Sequence, residues 1–199
     1  MAHKLIAFAD GENLVFRYQD MVKKGAIPKK DVVHVPDLVV WHPDITEAYL
    51  SDIVRISFYQ TYCGDDPKIE WAREQIKAIE YTYSLTSESE DDTRGSLVPH
   101  VFKKEGRSAK TKSVDISLTI DMLRYATHPQ FDVLLLLSGD GDYLPLVEEI
   151  SRQGKQVWLA AFSDGLNSTM KLAADEFINL DQIFFKPAHV AKPRRARAT

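Results

Sequence analysis

Cysteine is nearly missing from this chain of 199 residues, where Cys63 stands alone. One thiol can neither close an internal disulfide nor build a cysteine-based zinc site, so the composition points to a reducing, cytoplasmic setting without such a structural metal cluster. Long apolar runs are missing as well. Leu5 to Ala9 falls short of the ~7 to 15 residues of a signal-peptide core, and Val133 to Leu137 is far below the ~20 of a membrane helix, so no membrane contact is expected. Positive charge is scarce. The net charge is −4, and the tail Lys186 to Thr199 holds five Lys or Arg and no acid, leaving 20 basic against 29 acidic residues in the body, a net of −9. With that field, nucleic acid can be engaged only through local patches. GxGxxG, the Walker loop and the nucleophile elbow are absent too, and no Ser/His/Asp arrangement stands in for them.

What is present is the composition of one soluble globular domain, 44% hydrophobic and 27% charged, with no internal repeat. LIAFA (Leu5 to Ala9) reads as a strand buried on both faces. Leu14, Tyr18, Met21 and Val22 then fall on one helical face that Gly25 and Pro28 end. Asp31 to Trp41, broken by Pro36 and Asp37, predicts a peripheral hairpin, and Ile53 to Tyr62 a strand. From the helix start at Asp66 and Pro67, Ile69, Ala72, Ile76, Ile79 and Tyr83 keep helical spacing. Ser84 to Ser96 is polar and acidic and reads as a surface loop, before a strand near Leu97 to Phe102. A regular alternation follows: helix Val114 to Thr127, strand Val133 to Leu137, helix to Gln153, strand Gln156 to Phe162, helix Leu166 to Ala174 and strand Phe177 to Leu180. Strands separated by helices need right-handed crossovers, which makes the fold α/β with a mainly parallel central sheet.

In such sheets, function gathers beyond the carboxyl ends of the strands. Asp10 follows the first strand, with Gly11, Glu12 and Asn13 opening the helix; as an N-cap alone it is worth ~1 kcal/mol. Asp115 sits in the first turn of its helix, three, four and seven residues before Leu118, Thr119 and Met122. It therefore either meets a cation or reaches solvent from the dipole-stabilised helix start. Asp121 points elsewhere. The apolar strand Val133 to Leu137 runs into Ser138, Gly139, Asp140, Gly141 and Asp142, two acids at one strand end where a cap needs one. Repulsion among Asp10, Asp115, Asp140 and Asp142 on one rim calls for a cation, and oxygen-only ligands suit Mg2+ or Mn2+. Such an ion makes phosphodiester hydrolysis the natural chemistry.

These residues sit in stretches that, taken together, resemble a family. DGEN (Asp10 to Asn13), KSVDISLTIDM (Lys112 to Met122), SGDGDYLPLV (Ser138 to Val147) and LAADEFINLD (Leu172 to Asp181) are similar to the NYN domain, in particular its bacterial LabA-like branch, within the PIN-like nuclease superfamily. The resemblance runs from Lys4 to Asp181 in order. It implies a three-layer α/β/α PIN-like domain, expected over residues 1–185, while composition marks 186–199 as a basic, disordered tail. It also implies a metal-dependent endoribonuclease with Asp10, Asp115 and Asp140 as core metal-site acids and Asn13 and Asp142 in support. Expected partners are Mg2+ or Mn2+ and RNA in single-stranded or unpaired regions, with a homo-oligomer left open. The competing reading is a catalytically weak RNA-binding module. A small-molecule phosphohydrolase is more distant, because Glu12 stands where the DxD start needs a second Asp.

Inside the folded region, basic residues cluster densely only at KKEGRSAKTK, where Lys103, Lys104, Arg107, Lys110 and Lys112 form either a solvated loop or a phosphate contact beside Asp115. Asn167, Ser168 and Lys171 offer a phosphate site at a helix start, which capping by Asn167 explains equally. Tyr143 either stacks a base or packs locally.

Overall fold

The computed structural model describes residues 4–47, 52–83, 93–104 and 113–187. In chain order the elements are β1 (Lys4–Asp10), α1 (Gly11–Lys23), β2 (Val33–Val35), β3 (Val39–Trp41), α2 (Asp44–Glu47), β4 (Asp52–Cys63), α3 (Asp66–Lys77), β5 (Glu80–Tyr83), β6 (Thr93–Ser96) and β7 (Val98–Lys104). The second half holds α4 (Ser113–Ala126), β8 (Val133–Leu137), a 3-10 turn at Gly141–Tyr143, α5 (Leu144–Arg152), β9 (Gln156–Ala161), α6 (Ser168–Ala173), β10 (Glu176–Asn179) and α7 (Leu180–Phe184).

Six strands form the central sheet in the order β10-β9-β8-β1-β4-β7, and every neighbouring pair is parallel. The sheet is covered on both faces because its strands are apolar on both. Leu5, Ala7 and Ala9 face one core with Leu14, Val15 and Tyr18 of α1, Ile69, Ala72 and Ile76 of α3, and Leu180 and Phe184 of α7. Ile6 and Phe8, with Leu134 and Leu136 of β8, face a second core with Val114, Leu118 and Met122 of α4, Val147 and Ile150 of α5 and Met170 of α6. Two helical layers on one parallel sheet give the expected three-layer α/β/α architecture. No described helix is long and apolar enough to cross a membrane.

Three local expectations change. The hairpin forms, with Val33 paired to Trp41, but it is not peripheral, since Leu38, Val39, Val40 and Trp41 are wholly buried. The helix that begins at Asp66 stops at Lys77, and the helical spacing that continues through Ile79 to Tyr83 is accidental: Ile79 buries in a turn and Tyr83 belongs to β5. Strand β5 pairs with β6, so the end of the expected loop Ser84 to Ser96 is strand, while 84–92 lie outside the described residues. Residues 188–199 of the basic tail, and 105–112 of the basic turn, also lie outside them.

Parallel pairing puts the carboxyl ends of β1, β4, β7, β8 and β9 on one edge. Ala9 lies opposite Leu137 across β1 and β8, so Asp10 and Ser138 emerge side by side. Gly11 is required at this edge, because a Cβ there would stand 2.7 Å from the Tyr59 carbonyl oxygen and collide with the Phe58 ring.

Candidate active site

Asp10 ends β1 and caps α1, accepting from the Asn13 backbone N–H at 3.1 Å through Oδ1. The cap and the rim are thus one carboxylate in two roles. Its Oδ2 accepts from the buried Ser138 hydroxyl at 3.0 Å, and only 3% of Asp10 is exposed. Burial pushes its pKa up to about 7; the Asn13 and Ser138 hydrogen bonds pull the other way, and the negative charges of Asp115 and Glu12 push it further up.

The Ser138 to Asp142 loop is laced to this carboxylate. Asn13 Oδ1 accepts from Gly139 N at 3.1 Å, Ser138 Oγ accepts from Asp140 N at 3.2 Å, and Asp140 Oδ1 accepts from Asp142 N at 3.0 Å. Asp140 and Asp142 both open to solvent. From the next layer Asp115 arrives on the first turn of α4, where its Oδ1 accepts from the buried Tyr143 hydroxyl at 3.1 Å. Among the described residues, what meets Asp115 is therefore a neutral donor, and the rest of the side chain is open to solvent. Partial burial raises its pKa, the Tyr143 hydrogen bond lowers it, and Asp140, Glu12 and Asp142 raise it again. Burial, with Asp10 and Asp115 nearby, keeps Tyr143 protonated by raising its own pKa. The acids named from sequence thus share one electrostatic neighbourhood, as expected for one rim.

Glu12 belongs to the rim too and was passed over in sequence. It accepts a short hydrogen bond from Thr61 Oγ1 of β4 and lies 3.9 Å from Lys104 Nζ of β7. Its adjacency to Asp10 in DGEN was the available signal; the capping pattern hid it. Tyr143 was named only for stacking or packing, and its hydroxyl turns out to hold Asp115. Asp121 indeed points away and accepts from Tyr59 at 2.9 Å.

The two described lysines of the basic turn separate, because successive strand residues face opposite sides. Lys104 turns toward Glu12 and lines the cleft at the rim. Lys103 turns the other way, to Asp66 of α3 at 2.7 Å. Arg107, Lys110 and Lys112 lie outside the described residues. Asn167 caps α6, its Oδ1 accepting from Thr169 N at 2.8 Å and Met170 N at 3.3 Å. Its amide also fills the space where a Cβ on Gly141 would stand. Ser168 is exposed at the start of that helix.

An all-oxygen, anionic donor set in which the pKa values of Asp10 and Asp115 are raised suits a hard divalent cation in kind. Among the described residues, no three carboxylate, imidazole or thiol groups are gathered as a ready-made metal cluster. The acids face a cleft of about 670 Å3 lined by Asp10, Glu12, Asn13, Asp115, Asp140 and Lys104, and further along by Phe16, Asp37 and Tyr62.

Comparison with known proteins places the chain in a family. The model of the NYN domain family matches residues 4–181. No curated protein matches the chain. Among solved structures, a protein of unknown function from Vibrio parahaemolyticus is similar over 93% of this chain and 97% of that one, with a TM-score of 0.60 and 18% identity. At that identity the likeness is one of fold.

Proposed function

The chain belongs to the NYN domain family, a family of PIN-like nucleases that are generally ribonuclease hydrolases, and from that premise we propose that it is a metal-dependent endoribonuclease of the LabA-like branch. The observation that carries the proposal is the meeting of acids from three separate segments at one sheet edge: burial raises the pKa of Asp10, with Asp115 and Glu12 adding to it, and burial raises that of Asp115, with Asp140, Glu12 and Asp142 adding to it. A fold does not gather uncompensated like charge at a sheet edge for stability. It does so where a cation and a polyanion are to be bound.

Asp10, Asp115 and Asp140, with Asp142 beside them, are the residues that would hold Mg2+ or Mn2+. The ion supplies water activation and charge neutralisation at a phosphoryl oxygen. The chain's own residues do the rest. Ser138 and Asn13 tie the Ser138 to Asp142 loop to Asp10, so that two acid-bearing segments keep one spacing. The Tyr143 hydroxyl orients Asp115 without adding charge. Lys104, held near Glu12, presents an ammonium to a phosphate at the rim. The competing reading, an RNA-binding module without cutting, draws on the spread of the carboxylates.

Incubation of the purified protein with single-stranded RNA, structured RNA and DNA, each with Mg2+, Mn2+ or chelator, separates the two. Metal-dependent cutting of unpaired RNA is expected. Binding without cutting under every metal condition would leave the module.

A further inference from the structure

The cleft extends well past the acids, and what lines its far part differs in kind. Phe16 lies on α1 one turn beyond Glu12 and is 61% exposed, whereas Leu14, Val15 and Tyr18 of the same helix are buried. The Arg17 guanidinium lies 5.3 Å from the centre of this ring. On the side formed by β4, Tyr62 lines the same cleft, and its ring stands 5.9 Å from that of Trp71 on α3, itself 41% exposed. The remaining wall is the turn between β2 and β3. There Asp37 takes φ +58°, a strained value for a residue with a side chain. The Gln19 amide of α1 lies against it, and with its oxygen and nitrogen exchanged it accepts from Asp37 N at 2.9 Å and donates to Asp37 Oδ1 at 3.2 Å.

Charge decides what fits. Beyond Lys104, the far part offers a carboxylate and ring faces but, among the described residues lining it, no cation. It is unsuited to phosphate and suited to a flat, uncharged, aromatic group. A cleft of about 670 Å3 is of the size that holds small ligands, about 300–1,000 Å3. The wall is continuous from Asp10 and Glu12 through Asn13 to Phe16, so a strand with its backbone at the rim delivers its bases there.

We propose that the cleft beyond the acid rim is a seat for unpaired bases of an RNA strand whose phosphates lie at the rim, with Phe16 and Tyr62 as stacking residues. The seat rests on the nuclease reading and assigns the contact with unpaired bases to named residues, since a base held in a duplex cannot turn its face to Phe16. Phe16 is thereby a specificity-determining residue.

The test measures binding by the full chain in chelator, so that cleavage plays no part. The probes are a fluorescent single-stranded oligoribonucleotide, a series of the same oligonucleotide with one abasic position each, and the corresponding duplex. Phe16→Ala is expected to weaken single-strand binding by about 5- to 150-fold, the worth of one base–ring stack, and Phe16→Trp to restore it. One abasic position should weaken binding to the parent by a similar factor and leave Phe16→Ala unaffected, because both changes remove the same contact. Parental affinity in Phe16→Ala, an abasic penalty undiminished in that variant, equal losses for duplex and single strand, or no RNA binding by the parent would each overturn the seat. A cleft that takes an apolar peptide instead belongs to the first of these outcomes. Failure of the nuclease reading has a different signature: Phe16-dependent binding with no metal-dependent cutting by the parent leaves the seat standing.

Discussion

Replacing Asp10 by Asn should make the metal-free protein more stable at alkaline pH while abolishing the nuclease activity proposed for it. Asp10 is almost wholly buried and its pKa rises to about 7, against ~4 for an aspartate in the unfolded chain. The folded state therefore binds the proton more tightly. Below pH ~4 both states hold it and there is no penalty. Between pH ~4 and 7 stability falls as pH rises, and above 7 the loss is complete. At 1.36 kcal/mol per tenfold change in acidity, the swing is about 4 kcal/mol. Asparagine does not titrate and keeps an oxygen for the Asn13 N–H, preserving the α1 cap. Its amide nitrogen cannot accept from Ser138, which must then turn its hydroxyl proton away from a buried site, at about 1 kcal/mol. The variant should thus be about 1 kcal/mol less stable than the parent at pH 4 and about 3 kcal/mol more stable at pH 8.5. Urea denaturation of both proteins in chelator across that range measures the difference. A stability gap that does not move with pH would refute the assignment of Asp10 as a buried, uncompensated carboxyl.

Asp140→Asn should keep the fold and lose metal-dependent cutting, and its loss should be strongly non-additive with that of Asp10→Asn, because groups serving one ion act as a unit; single-turnover assays on the double variant decide this. Mn2+ should raise the melting temperature of chelator-stripped protein as RT ln(1 + [L]/Kd), whereas in Asp10→Asn, Asp140→Asn the melting point should be indifferent to millimolar Mn2+. Tyr143→Phe removes the hydrogen bond that holds Asp115 ionised, so the carboxyl's pKa rises further and the acid limb of the rate profile should move to higher pH. Lys104→Gln should flatten the salt dependence of RNA binding by about one phosphate contact, and Lys103→Gln, which loses a surface pair with Asp66, should change it less; equal slopes for the two would show that the strand does not sort them.

Much of this molecule is legible in one dimension. Unbroken apolar runs at Leu5 to Ala9 and Val133 to Leu137 mark strands buried on both faces, and helices between them leave a parallel sheet as the economical arrangement. Acids placed directly after such strands must then share an edge, which is why Asp10 and Asp140 could be named before any coordinates. These features depend on local period and on position along the chain. Where a local pattern ran on by accident, sequence misled: helical spacing through Ile79 and Tyr83 continues past the real end of α3 at Lys77, because a strand partner, β6, offers that segment its hydrogen bonds.

The order of the strands, the burial of Leu38 to Trp41 under the sheet, the opposite facings of Lys103 and Lys104 and the hold of Tyr143 on Asp115 were settled only in three dimensions. So were the rim position of Glu12 and the meeting of Phe16, Tyr62 and Asp37 around one cleft. Each depends on which distant segment lies alongside, and desolvation and hydrogen bonding act on whatever is near in space. Period and composition determine what a segment can be; the raised pKa of Asp10 exists only because distant segments close over it and bury it, a cost that the Ser138 hydroxyl, 128 residues away along the chain and 3.0 Å from the carboxylate, offsets only in part.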